Sequence, residues 1–142
     1  MTATSAPIPQ GNYVPAKRFG NLIYVSGMTP RDKGVLTQVG KISETEPISH
    51  YRSSAELATR NALRAAETVL LEGEVLTDAV SLTVYLNTTP EFTAHAMIAD
   101  FASEVLAKAF GSVPSRAAVG VNSLPGGAPL EISVVLGLSQ IE

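Results

Sequence analysis

An arginine and a glutamate stand out near the end of the chain because the segments that hold them are otherwise small or apolar. Arg116 lies within residues 115–121 and Glu131 within residues 129–138. An arginine is always charged, and its planar fork binds a carboxylate through two hydrogen bonds, while a glutamate can hold or activate a water molecule. The pair therefore predicts a site for a small carboxylate-bearing molecule, which the two side chains would either flank on one sheet face or approach across a subunit boundary. Each residue could instead be an ordinary strand residue, exposed or ion-paired between subunits.

Four other residues could complete such a site. Ser26 and Gly27 end a predicted strand, where backbone N–H groups can bind an anion or a carbonyl and glycine permits close approach. A plain strand-ending turn is the simpler interpretation of this pair. Ala118, two residues after Arg116, would share its strand face and leave room for a ligand. Tyr13 could fold over the pocket, or could simply pack where the chain enters the domain.

The composition excludes several classes of site. The 142 residues include no Cys, so the chain has no disulfide, no thiolate metal site and no Cys nucleophile. The two histidines, His50 and His95, have no metal-ligand spacing to another His or to an acidic residue, and both are expected to face solvent. The sequence therefore predicts no metal site.

The charge balance bears on partners and location. The formal net charge is -3 and no basic cluster exceeds Lys17-Arg18, which disfavours nucleic acid because phosphate binding needs a basic surface. The first residues lack the basic start and apolar stretch of a signal peptide, and no apolar run approaches the ~18 residues of a membrane helix. We expect a cytoplasmic protein with neither a nucleic-acid nor a membrane partner.

The residue pattern predicts one domain over residues 11–142, preceded by a flexible N-terminal arm over residues 1–10. The first predicted elements are a hairpin with Asn21 at its tip, a long loop over 28–49 that could hold one short strand, and a helix over 54–72 with a capping-box start. A strand over 78–86 and a helix capped by Thr89 and ended by Gly111 follow. Two strands over 115–122 and 129–138, which would form a hairpin, close the chain.

Two amphipathic helices can cover only one face of such a sheet, so we predict an α+β domain with a mixed β-sheet and both helices on one face. The residues expected beneath the helices are Ile23, Val25, Val80, Leu82, Val84, Val119, Val121, Ile132 and Val134. The residues expected on the other face are Leu22, Tyr24, Ser26, Thr83, Tyr85, Arg116, Ala118, Gly120, Glu131 and Ser133. This second face is too apolar to be left in water, so we predict that it packs against further copies of the chain in a closed cyclic oligomer.

Several motifs together resemble a known family by their order and spacing. They are Gly11-Asn12-Tyr13-Val14-Pro15, the run from Gly20 to Gly27, the run from Val80 to Leu86, Pro114-Ser115-Arg116-Ala117-Ala118-Val119, Leu124-Pro125 and Leu130-Glu131-Ile132. This pattern resembles the Rid family, the YjgF-type reactive intermediate (imine/enamine) deaminases, over about residues 11–138.

The resemblance implies a chorismate-mutase-like α+β fold, assembled as a homotrimer with ligand clefts between subunits. It also implies hydrolysis, without a cofactor, of 2-imino or 2-enamino acids to 2-keto acids and ammonia. The implied roles are carboxylate binding by Arg116, positioning of the attacking water by Glu131, lining of the pocket by Ser26, Gly27 and Ala118, and closure by Tyr13. Ala118 stands where the best-studied branch of the family usually has Cys.

Two other functions stay open on the sequence. The same clefts could hold a small carboxylate without catalysis, for sensing or for contact with a partner. RNA cleavage, a label often attached to the family, is disfavoured by the acidic balance and by the lack of a basic, aromatic-rich stripe.

Overall fold

Five strands form one sheet, and two helices pack on one face of it. The computed structural model describes residues 6–141, so residues 1–5 of the predicted arm lie outside the described residues. The elements are β1 (Ala16–Phe19), β2 (Leu22–Met28), β3 (Arg31–Asp32), β4 (Val35–Leu36), α1 (Arg52–Glu67), β5 (Glu74–Asn87), α2 (His95–Phe110), β6 (Ser115–Val121) and β7 (Leu130–Gln140). Residues 6–10 form no helix or strand.

The main sheet has the strand order β1-β2-β7-β5-β6, while β3 and β4 form a separate small hairpin. All neighbours in the main sheet are antiparallel except β5 and β6, which run parallel with α2 between them in the chain. The predicted mixed sheet of an α+β domain is therefore confirmed, as is the two-residue turn at Gly20 and Asn21 that joins β1 to β2.

The core lies between the sheet and the two helices, as the strand alternation predicts. The central strands β5 and β7 each place every second side chain in this layer, and these residues are almost fully buried: Leu82, Val84, Leu86, Ile132, Val134 and Leu136. The buried face of α1 consists largely of Ala55, Ala58, Ala62, Ala65 and Ala66. Because these side chains are small, the helix axis can approach the sheet closely.

Both helices begin or end away from the predicted residues. No side chain caps α1, and Ser54 of the expected capping box is buried and donates its hydroxyl to Gln38 instead. The predicted start of α2 at Thr89 is wrong because the Thr89 N–H binds the Ile42 carbonyl at 2.9 Å, which ties this segment to the loop before α1. Gly111 does end α2, in a left-handed conformation with φ 76° that favours glycine.

The predicted faces hold for β2 and β7 but not for β6. The pairing of β5 with β7 shifts between Ala79 and Ser81, so Ala79 enters the core and Val80 is 43% exposed on the other face. On β6 the predicted alternation is reversed. Val119 is 39% exposed on the uncovered face, while Arg116, Ala118 and Gly120 lie opposite Leu82, Val84 and Leu86 on the helix side.

Candidate active site at the sheet surface

Glu131 lies on the uncovered face of the sheet, directly above a glycine. Its partner on β5 is Tyr85, and on its other side β7 pairs with β2 where the register shifts between Val25 and Met28. Gly27 belongs to this β-bulge, and a Cβ atom on Gly27 would lie only 2.8 Å from the Glu131 carboxyl carbon. The glutamate therefore occupies space that only a glycine leaves open.

The environment of this carboxylate favours its neutral form. Glu131 is half-buried, and this desolvation raises the pKa of its carboxyl above the ordinary value. Within residues 6–141 no hydrogen bond to another side chain or backbone group uses the carboxylate. A desolvated carboxyl group without a protein partner can take or give a proton at a bound water or ligand.

Ser26 and the segment before β1 complete this end of the sheet. The Ser26 hydroxyl donates to the Val14 carbonyl at 2.6 Å, and the Ser26 N–H donates to the Pro15 carbonyl at 2.9 Å. These bonds hold the chain that carries Tyr13 beside the bulge. The Tyr13 ring is exposed, and its hydroxyl accepts a hydrogen bond from the Gln10 N–H at 3.1 Å. Ser26 lies within β2 rather than at its end, because the strand continues to Met28.

Arg116 lies elsewhere, on the helix side of the edge strand β6. Its Nη1 donates to Asp100 Oδ1 at 2.7 Å and to Ser103 Oγ at 3.0 Å, and the Arg116 side chain is 22% exposed. It therefore faces α2 rather than the surface that carries Glu131.

The expectation that Arg116 and Glu131 flank a molecule from one sheet face is wrong for a single chain. Tyr85 pairs with Glu131 on one side and with Val119 on the other, so β5 separates the two strands. Two strand spacings and the three residues from Val119 back to Arg116 put the two Cα atoms on the order of 14 Å apart, on opposite faces. The expected hairpin of β6 and β7 does not form, since β6 pairs with β5 alone.

Ala118 and Gly120 share the helix side of β6 with Arg116. Ala118 packs against the core, and a Cβ atom on Gly120 would lie 2.7 Å from His95 Nε2 and 3.1 Å from Thr88 Oγ1. The expectation that His95 faces solvent is thus wrong, because its ring is partly buried and stacks edge-on against Phe92 at 5.3 Å. The sequence signal for this contact was Gly120 itself, because a glycine inside a strand often marks a place where another group approaches closely.

Asn87, which the sequence reasoning did not single out, fixes the loops beside the start of β7. Its buried amide donates to the Ala128 carbonyl at 3.1 Å and accepts a hydrogen bond from Lys41 Nζ at 2.9 Å. The only sequence signal for this role was the position of Asn87, a polar residue at the end of a strand with alternating apolar residues. Asn87 anchors the loop that leads into Leu130 and so helps to place the neighbouring Glu131.

Neither a metal-binding cluster nor a membrane-spanning helix is found in the part of the chain that the structure describes. Residues 6–141 contain no group of three or more histidine or acidic side chains that could hold a metal ion. No helix in the same range has both the length and the hydropathy required to cross a membrane.

Comparison with known proteins agrees with this fold. Residues 3–136 match the family described as endoribonuclease L-PSP. A RutC family protein of Saccharolobus solfataricus is 31% identical over 131 residues, which cover 92% of this chain and 90% of that protein.

Solved structures agree as well. The crystal structure of an Agrobacterium tumefaciens protein of unknown function superposes with a TM-score of 0.81 at 30% identity, and the match covers 96% of this chain and 87% of that one. The YjgF gene product of E. coli has a TM-score of 0.65 at 24% identity, with 94% and 93% covered, which shows the shared fold. The chain therefore belongs to the endoribonuclease L-PSP family, the YjgF/RutC group that its sequence motifs resemble.

Proposed function

We propose that this protein hydrolyses small 2-imino or 2-enamino carboxylic acids to 2-keto acids and ammonia, and that it needs no cofactor. The observation that carries the proposal is the Glu131 carboxyl group, which is half-buried over Gly27, has a raised pKa and has no hydrogen-bond partner within residues 6–141. Such a group suits proton transfer to or from a bound water molecule or ligand. Membership of the YjgF/RutC group supports the same chemistry.

The separation of Arg116 from Glu131 leads us to propose that the site forms between subunits. The uncovered face exposes Tyr24 by 48%, Val80 by 43% and Val119 by 39%, which is an apolar surface suited to burial against another copy. Strand β6 is a sheet edge at this surface. In a cyclic homotrimer, Arg116 of one subunit would meet Glu131 of the next across the boundary, which one chain alone does not allow.

Each step of the proposed reaction has a candidate group in this cleft. Arg116 binds the substrate carboxylate and so orients the C=N bond. Glu131 holds a water molecule, takes its proton as the oxygen adds to the imine carbon, and returns a proton to the nitrogen. The Glu131 carboxylate, regenerated by that transfer, takes the hydroxyl proton of the tetrahedral intermediate and passes it to the nitrogen. The C–N bond then breaks as the C=O bond forms, which releases ammonia and the keto acid. An enamine enters the same path after protonation at carbon.

The remaining candidates would shape the pocket. Ser26 and Gly27 present backbone groups at the bulge, and Tyr13 lies on the segment that Ser26 holds and could close over the ligand. Ala118 lies on β6 two residues from Arg116, where its small side chain packs against the core and adds little bulk beside the guanidinium. Because imines already react with water, orientation and one proton-transfer group can suffice.

The test is ammonia release from 2-imino acids generated in situ by an amino-acid oxidase. We expect the wild type to accelerate release, and Glu131→Gln to lose on the order of 10²-fold or more, because general acid–base catalysis contributes about that factor. Glu72→Gln, at an exposed carboxylate outside the site, is the matched control and should retain full activity. Equal rates for wild type and Glu131→Gln would overturn the proposal.

A non-catalytic carboxylate binder is the second candidate, favoured by Ala118 at the position where the best-studied branch of the family usually has Cys. It would bind 2-keto acids in calorimetry, lose that binding in Arg116→Ala, and release no ammonia. RNA cleavage gives a third distinct result in the same samples, namely degradation of a labelled RNA that Arg116→Ala abolishes.

A further inference from the structure

We infer that Asp100 and Ser103 are positioning residues that fix the Arg116 guanidinium and leave one defined edge of it for the substrate carboxylate. This inference rests on the proposed function, since it takes Arg116 to be the group that binds the carboxylate. Neither Asp100 nor Ser103 would touch the substrate or the reacting atoms.

The two residues lie on the same face of α2. They are three positions apart in the helix, so their side chains point in nearly the same direction. Both contact the same atom of Arg116, with Nη1 at 2.7 Å from Asp100 Oδ1 and at 3.0 Å from Ser103 Oγ. The helix thus holds the guanidinium group through Nη1 alone.

These two contacts determine which N–H donors of Arg116 remain for a ligand. A guanidinium has five N–H donors, and Nη1 carries two of them. Both are engaged by α2, and no hydrogen bond within residues 6–141 uses Nε or Nη2 of Arg116. The Nε–H and one Nη2–H are parallel donors that fit the two oxygens of a carboxylate. The ligand is therefore bound side-on, by the edge that points away from Asp100 and Ser103.

The contact also restricts a side chain that is otherwise free to move. Arg116 starts from an edge strand whose neighbours on the same face are Ala118 and Gly120, which offer no bulk to pack against it. Without the two contacts from α2, the long side chain would lose conformational freedom only when it bound a ligand. Preorganisation by Asp100 and Ser103 removes part of that cost before binding.

The test measures pyruvate binding by calorimetry and imine hydrolysis for full-length variants. We expect Ser103→Ala and Asp100→Ala each to weaken pyruvate binding and raise KM on the order of 5–30-fold, with little change in kcat, because ground and transition states use the same carboxylate contact. Asp100→Asn keeps a hydrogen-bond acceptor for Nη1 and should restore most of the affinity. In an Arg116→Ala background, Asp100→Ala should have no further effect.

A matched control is present on the same helix. Glu104 also pairs with an arginine at 3.1 Å, but this residue is Arg52 of α1, which lies over the Phe101 ring. Glu104→Ala should leave pyruvate binding unchanged, and an unchanged unfolding temperature for Asp100→Ala would exclude a folding defect.

The outcomes separate this inference from the proposed function. Wild-type affinity, or tighter binding, in Asp100→Ala and Ser103→Ala would overturn the inference even if hydrolysis is observed. Pyruvate binding that follows the expected variant order, without ammonia release, would support the inference and overturn the proposed hydrolysis. No pyruvate binding by the wild type would overturn the inference.

Discussion

At the scale of single residues, the account depends on the contact between Glu131 and Gly27. Sequence reasoning selected both residues but could not place them against each other, because a β-bulge in β2 brings them together and no sequence signal fixed the bulge. The raised pKa of Glu131 follows from the same arrangement, since burial against the bulge removes water from the carboxyl group.

Gly27→Ala tests this contact. The new methyl group would collide with the Glu131 carboxyl group, so the glutamate must move away from the proposed water position. We expect imine hydrolysis to fall at least about tenfold and the free energy of unfolding to decrease by about 1–3 kcal/mol, as is common for overpacking. Gly137→Ala is the control, since its methyl group would meet nothing closer than 3.9 Å. Full activity in Gly27→Ala would contradict this role of the bulge.

At the scale of elements, the sequence predicted most of the strands, but it did not predict which face of β6 turns toward the helices. Strands β5 and β7 alternate large apolar residues with others, so their buried faces follow from the sequence once the bulge at Val80 is allowed for. Apart from Arg116, strand β6 consists of small residues and two valines, so its alternation carried too little information to choose a face.

The parallel pairing of β6 was nevertheless accessible from the order of elements. A strand, a helix and a second strand in succession commonly form a parallel pair with the helix as crossover, which is what β5, α2 and β6 do. Applied to this chain, that rule removes the hairpin of β6 and β7. In the structure, Arg116 lies on the helix side of β6, where Asp100 and Ser103 contact it.

An ion pair joins β1 to the start of β5. Glu74 is 2% exposed at its side chain and pairs with Arg18 through both carboxylate oxygens, and it also accepts the Leu71 N–H at 2.8 Å. The hydrogen bonds from Arg18 and then from Leu71 lower the pKa of Glu74. The stabilisation from this lowered pKa is present above the ordinary carboxyl pKa and is lost as the pH falls through the lowered value.

Glu74→Gln should therefore be less stable than the wild type at pH 7, and the difference should shrink as the pH falls below about 4, near the ordinary carboxyl pKa. The measurement is the free energy of unfolding by urea at several pH values between 2 and 7. Glu72→Gln, at an exposed neighbour, should follow the wild-type curve. A constant difference between wild type and Glu74→Gln at all pH values would contradict the role assigned to this pair.

At the scale of the whole molecule, one chain carries two halves of the proposed site on opposite faces of its sheet. The half with Glu131 lies on the uncovered apolar surface, and the half with Arg116 lies at the edge strand beneath α2. The sequence predicted both halves and an oligomer. It could not assign each half to a face, because that depends on the strand order, which single-chain alternation does not encode.

The central claim is that each active site takes Arg116 from one subunit and Glu131 from another, and mixed oligomers test it most directly. Arg116→Ala and Glu131→Gln are each expected to be nearly inactive alone. After the two variants are unfolded together and refolded at equal amounts, random closed trimers would restore roughly one site in four. We predict recovery of about that share of the wild-type rate of ammonia release from 2-imino acids. No recovery in verified mixed oligomers would contradict the account.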